Sequence, residues 1–244
     1  MANVVAYHRP DSVDAALDLL ARVDVNSKVL AGGTQLIGRN IDHDPFEVVD
    51  LQNAGLARVD LGEARAVIGA TVTLAEMSAA AGLPDVLRDA ARRELPSTLR
   101  TLATLGGVLV GGEAESEFLA TLLAHDPIVE IHGPEGRREL PLPQLWIEPF
   151  HLDGRLITGV SIATDGTSRA DRTARTPADR PIVAVVGRRG VDGRLRLACS
   201  GVAAHPVLVD DPMTLRPPAD FRGSSEYRRQ LAITLSRRVA EALS

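Results

Sequence analysis

The chain has 244 residues, of which 45% are hydrophobic and 24% charged, and a net charge of -5. That apolar content buries a real core, while the mild acidity argues against nucleic acid as the main partner. A lone cysteine, Cys199, excludes an internal disulfide, an iron–sulfur cluster and a Cys-rich zinc site built by this chain alone.

Residues 1–55 form a first block. Val4–Tyr7 reads as a short strand, and Pro10-Asp11-Ser12 opens a helix with Asp11 or Ser12 as N-cap. Val13, Ala16, Leu17 and Leu20 share one face of that helix. Val29-Leu30-Ala31 is a buried-type strand running into Gly32-Gly33, followed by a short helix over Thr34–Gly38 and a strand over Phe46–Leu51. This order predicts a small α/β subdomain with parallel pairing.

Residues 56–163 form a second block. Strands at Ala57–Leu61 and Ala66–Ile68 flank Gly62-Glu63. Thr73 and Glu76 have capping-box spacing, and a helix spans roughly Pro84–Arg93. A polar run from Ser97 then enters Thr104-Leu105-Gly106-Gly107, and the acidic stretch Glu113–Glu117 leads into a helix over Ser116–Ala124. Ile128–His132 and Arg137–Leu140 flank Gly133–Gly136 as a hairpin, and Leu156–Ile162 is a further strand.

Residues 164–180 are polar, carry Arg169, Arg172, Arg175 and Arg180, and read as a linker or mobile loop. In the third block, 181–244, Ile182–Val186 and Leu195–Ser200 bracket Gly190–Gly193 as a second hairpin. A Pro-rich connection spans Asp210–Pro218, and the helix Glu226–Leu243 places Leu231, Thr234, Leu235 and Val239 on one side. The fold class is therefore α+β: a small α/β subdomain, a larger α+β subdomain, and a C-terminal domain of antiparallel strands and helix.

Two glycine turns carry the chemistry. Each feeds a helix, and each can present backbone N–H groups to a phosphate. Together they can hold a pyrophosphate, which points to a dinucleotide such as FAD. The candidate cofactor residues are Leu30, Ala31, Gly32, Gly33, Thr34, Gln35 and Leu36 in the first turn, and Thr104, Leu105, Gly106, Gly107 and Val108 in the second, with Glu117 beyond them. The plain alternative for each turn is a tight strand-to-helix connection, and for Glu117 a favourable charge in the first turn of a helix. The six histidines show no metal-ligand spacing, and His43 beside Asp42 and Asp44 reads as a solvated loop. Cys199 reads as a small core residue, and Trp146 near Pro143, Pro149 and Phe150 as packing. No catalytic base or nucleophile stands out. No apolar run approaches the ~18 residues of a membrane span, and Met1–Tyr7 lacks the pattern of a signal peptide, so a cytoplasmic protein with no membrane partner is expected.

In series, these features resemble the FAD-binding (medium) subunit of the molybdenum hydroxylases, the family of xanthine dehydrogenase and aerobic carbon monoxide dehydrogenase. The resemblance runs through Tyr7–Val13, Ala31–Leu36, Ile68–Leu74, Arg100–Gly107, Gly136–Leu142, Arg175 with Asp179-Arg180-Pro181, and Ser225–Arg229, in that order. It implies a chain that takes electrons onto FAD and passes them to an acceptor, beside subunits carrying molybdopterin and iron–sulfur clusters. It also implies that the amides of Gly32–Gln35 and Leu105–Val108 bind the pyrophosphate. The chain departs from the family pattern in four places. Val108 stands for Asn, Glu117 for Asp and Thr101 for Asn, and Ser168–Arg172 holds no aromatic ring. The stretch 206–220 is also too short for the helix the family has there. Two other readings fit these departures: a stand-alone flavoprotein acting on a small molecule, and a flavin-free binding or assembly protein.

Overall fold

The computed structural model describes residues 3–36, 44–148, 152–176 and 179–244. Strand β1 (Val4–His8), helix α1 (Val13–Leu20), β2 (Ser27–Leu30) and β3 (Phe46–Asp50) form the first unit. Its sheet has the order β1-β3-β2 with both pairings parallel. Ser12 caps α1 by accepting a hydrogen bond from the Ala15 amide at 3.2 Å. The fully buried Asp50 closes β3, accepting from the Tyr7 hydroxyl, the Arg9 guanidinium and the Gln52 amide. Leu51 leaves the strand for a single 3-10 turn. The expected helix after Gly33 is a turn over Thr34–Leu36, and its remainder lies outside the described residues.

The second sheet is antiparallel throughout, in the order β4-β5-β8-β6-β7. Its strands are β4 (Val59–Leu61), β5 (Arg65–Gly69), β6 (Ile128–Gly133), β7 (Gly136–Pro141) and β8 (Leu156–Ala163). Between β5 and β6 run five helices: α2 (Leu74–Ala79), α3 (Asp85–Glu94), α4 (Ser97–Arg100), α5 (Leu105–Gly111) and α6 (Glu117–Ala124). The expected capping box is complete at α2. The Thr73 hydroxyl accepts from the Glu76 amide, and the Glu76 carboxylate accepts from the Thr73 amide. Helix α7 (Leu142–Ile147) was not foreseen. It is six residues long and carries Pro143 in its first turn, where the missing N–H costs nothing.

Residues 164–180 are not simply a linker: Thr167–Thr173 form β9. This strand pairs antiparallel with β10 (Val183–Arg189) along its whole length, and the sheet continues through β11 (Leu195–Ser200) to β12 (Val207–Leu208). An edge strand needs no continuous apolar run, which is why its polar sequence reads as loop. The stretch 206–220 holds β12 and a 3-10 turn at Pro212–Thr214, and no α-helix among its described residues. Helix α8 (Ser225–Ala242) closes the chain on β10 and β9.

Helix α6 is the hub. Every one of its residues is buried, as befits a helix that is apolar nearly all round. It packs on α3 and on β10 and β11, joining the second and third sheets. Strand β10 is buried on both faces: Val186 joins the main core, and Val183 and Val185 join a second cluster with Cys199 and α8. Burial pushes the Cys199 thiol up to about 12, as suits a core residue.

His125 ends α6. Its Nδ1 lies 2.7 Å from the Ala163 carbonyl, which can only accept, so Nδ1 carries the proton. Its Nε2 is buried without a partner, and burial lowers its pKa to about 4. In the unfolded chain His125 protonates near ~6.5. As pH falls through that window the unfolded state binds the proton first, so folding stability drops, by up to about 3 kcal/mol once pH is below the folded value. Urea unfolding between pH 7 and 4 should therefore lose stability more steeply in the wild type than in His125→Gln; equal slopes would contradict this assignment.

Candidate functional site

Both glycine turns wall a single cavity of about 550 Å³. The first turn leaves β2 through Ala31–Gly33, with Gly33 at φ +73°, a backbone state that favours glycine. A Cβ on Gly32 would lie 1.6 Å from the Leu102 carbonyl oxygen. The first turn therefore rests directly on the backbone that leads into the second. Farther along, a Cβ on Gly111 would come within 2.9 Å of Gln35 Nε2, a second place where the turns meet.

The second turn is held from below. Thr104 caps α5, its hydroxyl accepting from the Gly107 amide at 3.4 Å. The Leu105 and Gly106 amides donate to Val72 and Ala70 carbonyls, both at 2.8 Å, and the Val108 amide donates to Thr104. All four amides from Leu105 to Val108 are thus committed within the protein. From sequence these amides are expected to bind a pyrophosphate; here the connection after β5 supplies the acceptors of Leu105 and Gly106, and Thr104 those of Gly107 and Val108. The amides of Gly32, Gly33, Thr34 and Gln35 donate to no acceptor among the described residues. The first turn is the one open to an anion.

Of the residues singled out from sequence, Ala31, Gly32, Gly33, Thr34, Gln35, Leu36, Thr104, Gly106 and Gly107 line the cavity. Leu30, Leu105, Val108 and Glu117 do not. Leu105 and Val108 pack in the main core, so valine in place of asparagine faces apolar neighbours here. Glu117 is 3% exposed and held between Arg93 at 2.6 Å and Arg172 at 3.2 Å. The neighbouring acids are engaged likewise, Glu113 with Arg180 and Glu115 with Arg222. This acidic stretch clasps Arg93, Arg172, Arg180 and Arg222 rather than lining the cavity.

The remaining wall comes from Val29, Leu51, Ala70, Thr71, Val110, Gly111, Leu152, Arg155, Leu156 and Ile157. Ala70 and Thr71 fall inside the Ile68–Leu74 motif, a signal that was present but not read as a site. Leu152–Ile157 carry no local signal, since only the antiparallel placement of β8 brings them there. Arg155 is the one charged side chain in the wall among the described residues. It donates to the Glu135 carboxylate at 2.7 and 2.8 Å and to the Asp153 carbonyl at 3.1 Å. The Arg155 hydrogen bond holds the Glu135 carboxyl below its ordinary range.

The arrangement suits a dinucleotide. It offers a largely apolar wall, amides on one turn without partners among the described residues, and glycine positions that a Cβ would close. Among the described residues no group of three His, Cys, Asp or Glu could hold a metal ion; His43 and His151 lie outside them. A second depression of about 560 Å³ around Tyr7–Pro10 and Asp18 is wide open to solvent, and its Tyr7 and Arg9 are already paired with Asp50.

Two substitutions separate these roles. Gly32→Ala forces the turns apart and should cost about 3 kcal/mol or more of stability, with FAD affinity lost alongside. Glu117→Gln removes the buried carboxylate charge that the part-exposed Arg93 and Arg172 share and should cost about 2 kcal/mol, yet leave FAD affinity unchanged in the folded protein. Denaturant midpoints with flavin fluorescence titrations check both; a Glu117→Gln chain that folds stably but loses FAD would contradict the placement.

A family model described as "FAD binding domain in molybdopterin dehydrogenase" matches residues 3–164. The 6-hydroxypseudooxynicotine dehydrogenase complex subunit alpha of Paenarthrobacter nicotinovorans is 28% identical, over 97% of this chain and 94% of its own length. The carbon monoxide dehydrogenase medium chain of Afipia carboxidovorans is 26% identical, over 96% of this chain and 95% of its own. A solved chain of the Cu,Mo-CO dehydrogenase superposes with a TM-score of 0.85 at 23% identity, covering 100% of this chain and 98% of that one, which shows the same fold. With the match spanning most of its length, the chain belongs to the FAD-binding domain family of the molybdopterin dehydrogenases.

Proposed function

We propose that this chain is the flavin subunit of a molybdenum hydroxylase complex, with FAD held in the cavity between its two glycine turns. The observation that carries this reading is that turns far apart in sequence wall one cavity. The amides of Gly32–Gln35, which have no acceptor among the described residues, receive the diphosphate. Ala31, Leu36, Thr104, Gly106 and Gly107 shape the cavity, and Leu156, Ile157 and Val110 exclude water from it. Bound FAD supplies the electron transfer, accepting electrons and passing them to an acceptor. Among the described wall residues Arg155 alone is charged, and Glu135 neutralises it.

The first two blocks, 1–55 and 56–163, hold the cofactor. The third, 181–244, braces them through α6 and the Arg222–Glu115 pair. The partners are subunits carrying molybdopterin and iron–sulfur clusters. That division is supported by relatives named as a dehydrogenase complex subunit and a medium chain, and by a chain whose single cysteine is buried. No described helix is long and apolar enough to cross a membrane. We place the complex in the cytoplasm, where a lone reduced thiol is the common pattern.

The purified chain should show flavin absorbance bands, or bind added FAD with submicromolar affinity. A folded chain that neither carries nor binds FAD would contradict the reading. Isolated from its own cells, it should bring two further chains, one with iron–sulfur absorbance and one with molybdenum; a stable isolate carrying flavin alone would remove the complex and leave a stand-alone flavoprotein.

A further inference from the structure

Thr71 lies in the cavity wall, yet neither glycine turn contains it. It follows β5, where the chain bends beneath α5. The backbone on either side is fully used: the Ala70 carbonyl accepts from Gly106, the Thr71 amide donates to Leu56, and the Val72 carbonyl accepts from Leu105. These bonds fix Thr71 in place without engaging its hydroxyl. That hydroxyl is buried and has no hydrogen-bond partner among the described residues. The residue is 8% exposed.

The other buried threonines among the described residues behave differently. Thr104 accepts from Gly107, Thr121 donates to the Glu117 carbonyl, and Thr158 donates to Glu130. The remaining partnerless hydroxyls, on Ser27, Ser200 and Ser236, are not in the cavity wall. A buried hydroxyl without a partner is unfavourable, and valine would fill the same volume without that penalty. Thr71 is thus the one wall residue whose chemistry makes sense only with something polar in the cavity.

We propose that the Thr71 hydroxyl is a direct hydrogen-bonding contact to the bound dinucleotide, additional to the two glycine turns. The inference rests on the cavity being the FAD site. The contact is to an oxygen or nitrogen of the cofactor, and it belongs either to the ADP half or to the flavin mononucleotide half.

The test compares wild type, Thr71→Val and Thr71→Ser for FAD affinity, by flavin fluorescence, and for melting temperature without ligand. Thr71→Val should melt at or above the wild-type temperature when free of FAD, because the hydroxyl has no partner in the ligand-free chain. Its FAD dissociation constant should rise about tenfold, and Thr71→Ser should recover most of that loss. ADP and FMN titrated separately then assign the contact to whichever half weakens. Unchanged FAD affinity in Thr71→Val overturns the proposal. A lower ligand-free melting temperature in Thr71→Val also overturns it, since the hydroxyl then works within the protein. A wild-type chain that binds no FAD fails at the earlier step, the identity of the cavity, which the variants do not touch.

Discussion

The Gly32 backbone lies against the carbonyl of Leu102 at a distance no side chain could share. Two segments far apart in sequence meet there backbone to backbone, one at the end of a parallel sheet and one at the start of α5. Similar approaches occur where a Cβ on Gly69 would lie 1.9 Å from the Leu56 carbonyl oxygen and one on Gly106 would lie 3.2 Å from Ala70. The cavity exists because these contacts bring the edges of two sheets together. Glycine here sets the approach distance between elements, and the choice of ligand follows from which amides that approach leaves free.

The two turns consequently have unequal roles. The second satisfies its amides on the Ala70 and Val72 carbonyls and so acts as a rigid shelf. The first keeps its amides unpaired among the described residues and is the side that can receive negative charge. Away from the cavity, the acidic stretch before α6 is gripped by Arg93, Arg172, Arg180 and Arg222. Glu117 is the buried member of these pairs, so removing an arginine leaves its charge short of a partner, and its bond to Arg172 on β9 ties the third sheet to α6.

Local chemistry was legible in the sequence where it is self-contained. The Ser12 cap, the Thr73–Glu76 box, the β6–β7 hairpin and the parallel first sheet all follow from neighbouring residues. The features that were not legible depend on distant partners. Strand β9 is polar because it is an edge strand, so its pattern carries no apolar alternation. The amides of Leu105 and Gly106 looked free because their acceptors, Val72 and Ala70, lie three helices upstream. Val108 and Glu117 looked like cofactor contacts because a family pattern fixes a position but not its surroundings; here one faces the core and the other two guanidinium groups. The far wall, Leu152–Ile157, joins the site only through the sheet order.

The central claim is that one cavity, walled by both turns and opened to an anion by the first, holds the FAD. Amide hydrogen exchange with and without FAD tests it most directly, because exchange reports each N–H separately. The account predicts that FAD slows exchange at Gly32, Gly33, Thr34 and Gln35, with smaller changes at Leu105–Val108, whose amides are already bonded. Slowed exchange confined to other regions, with the first turn unaffected, would contradict it.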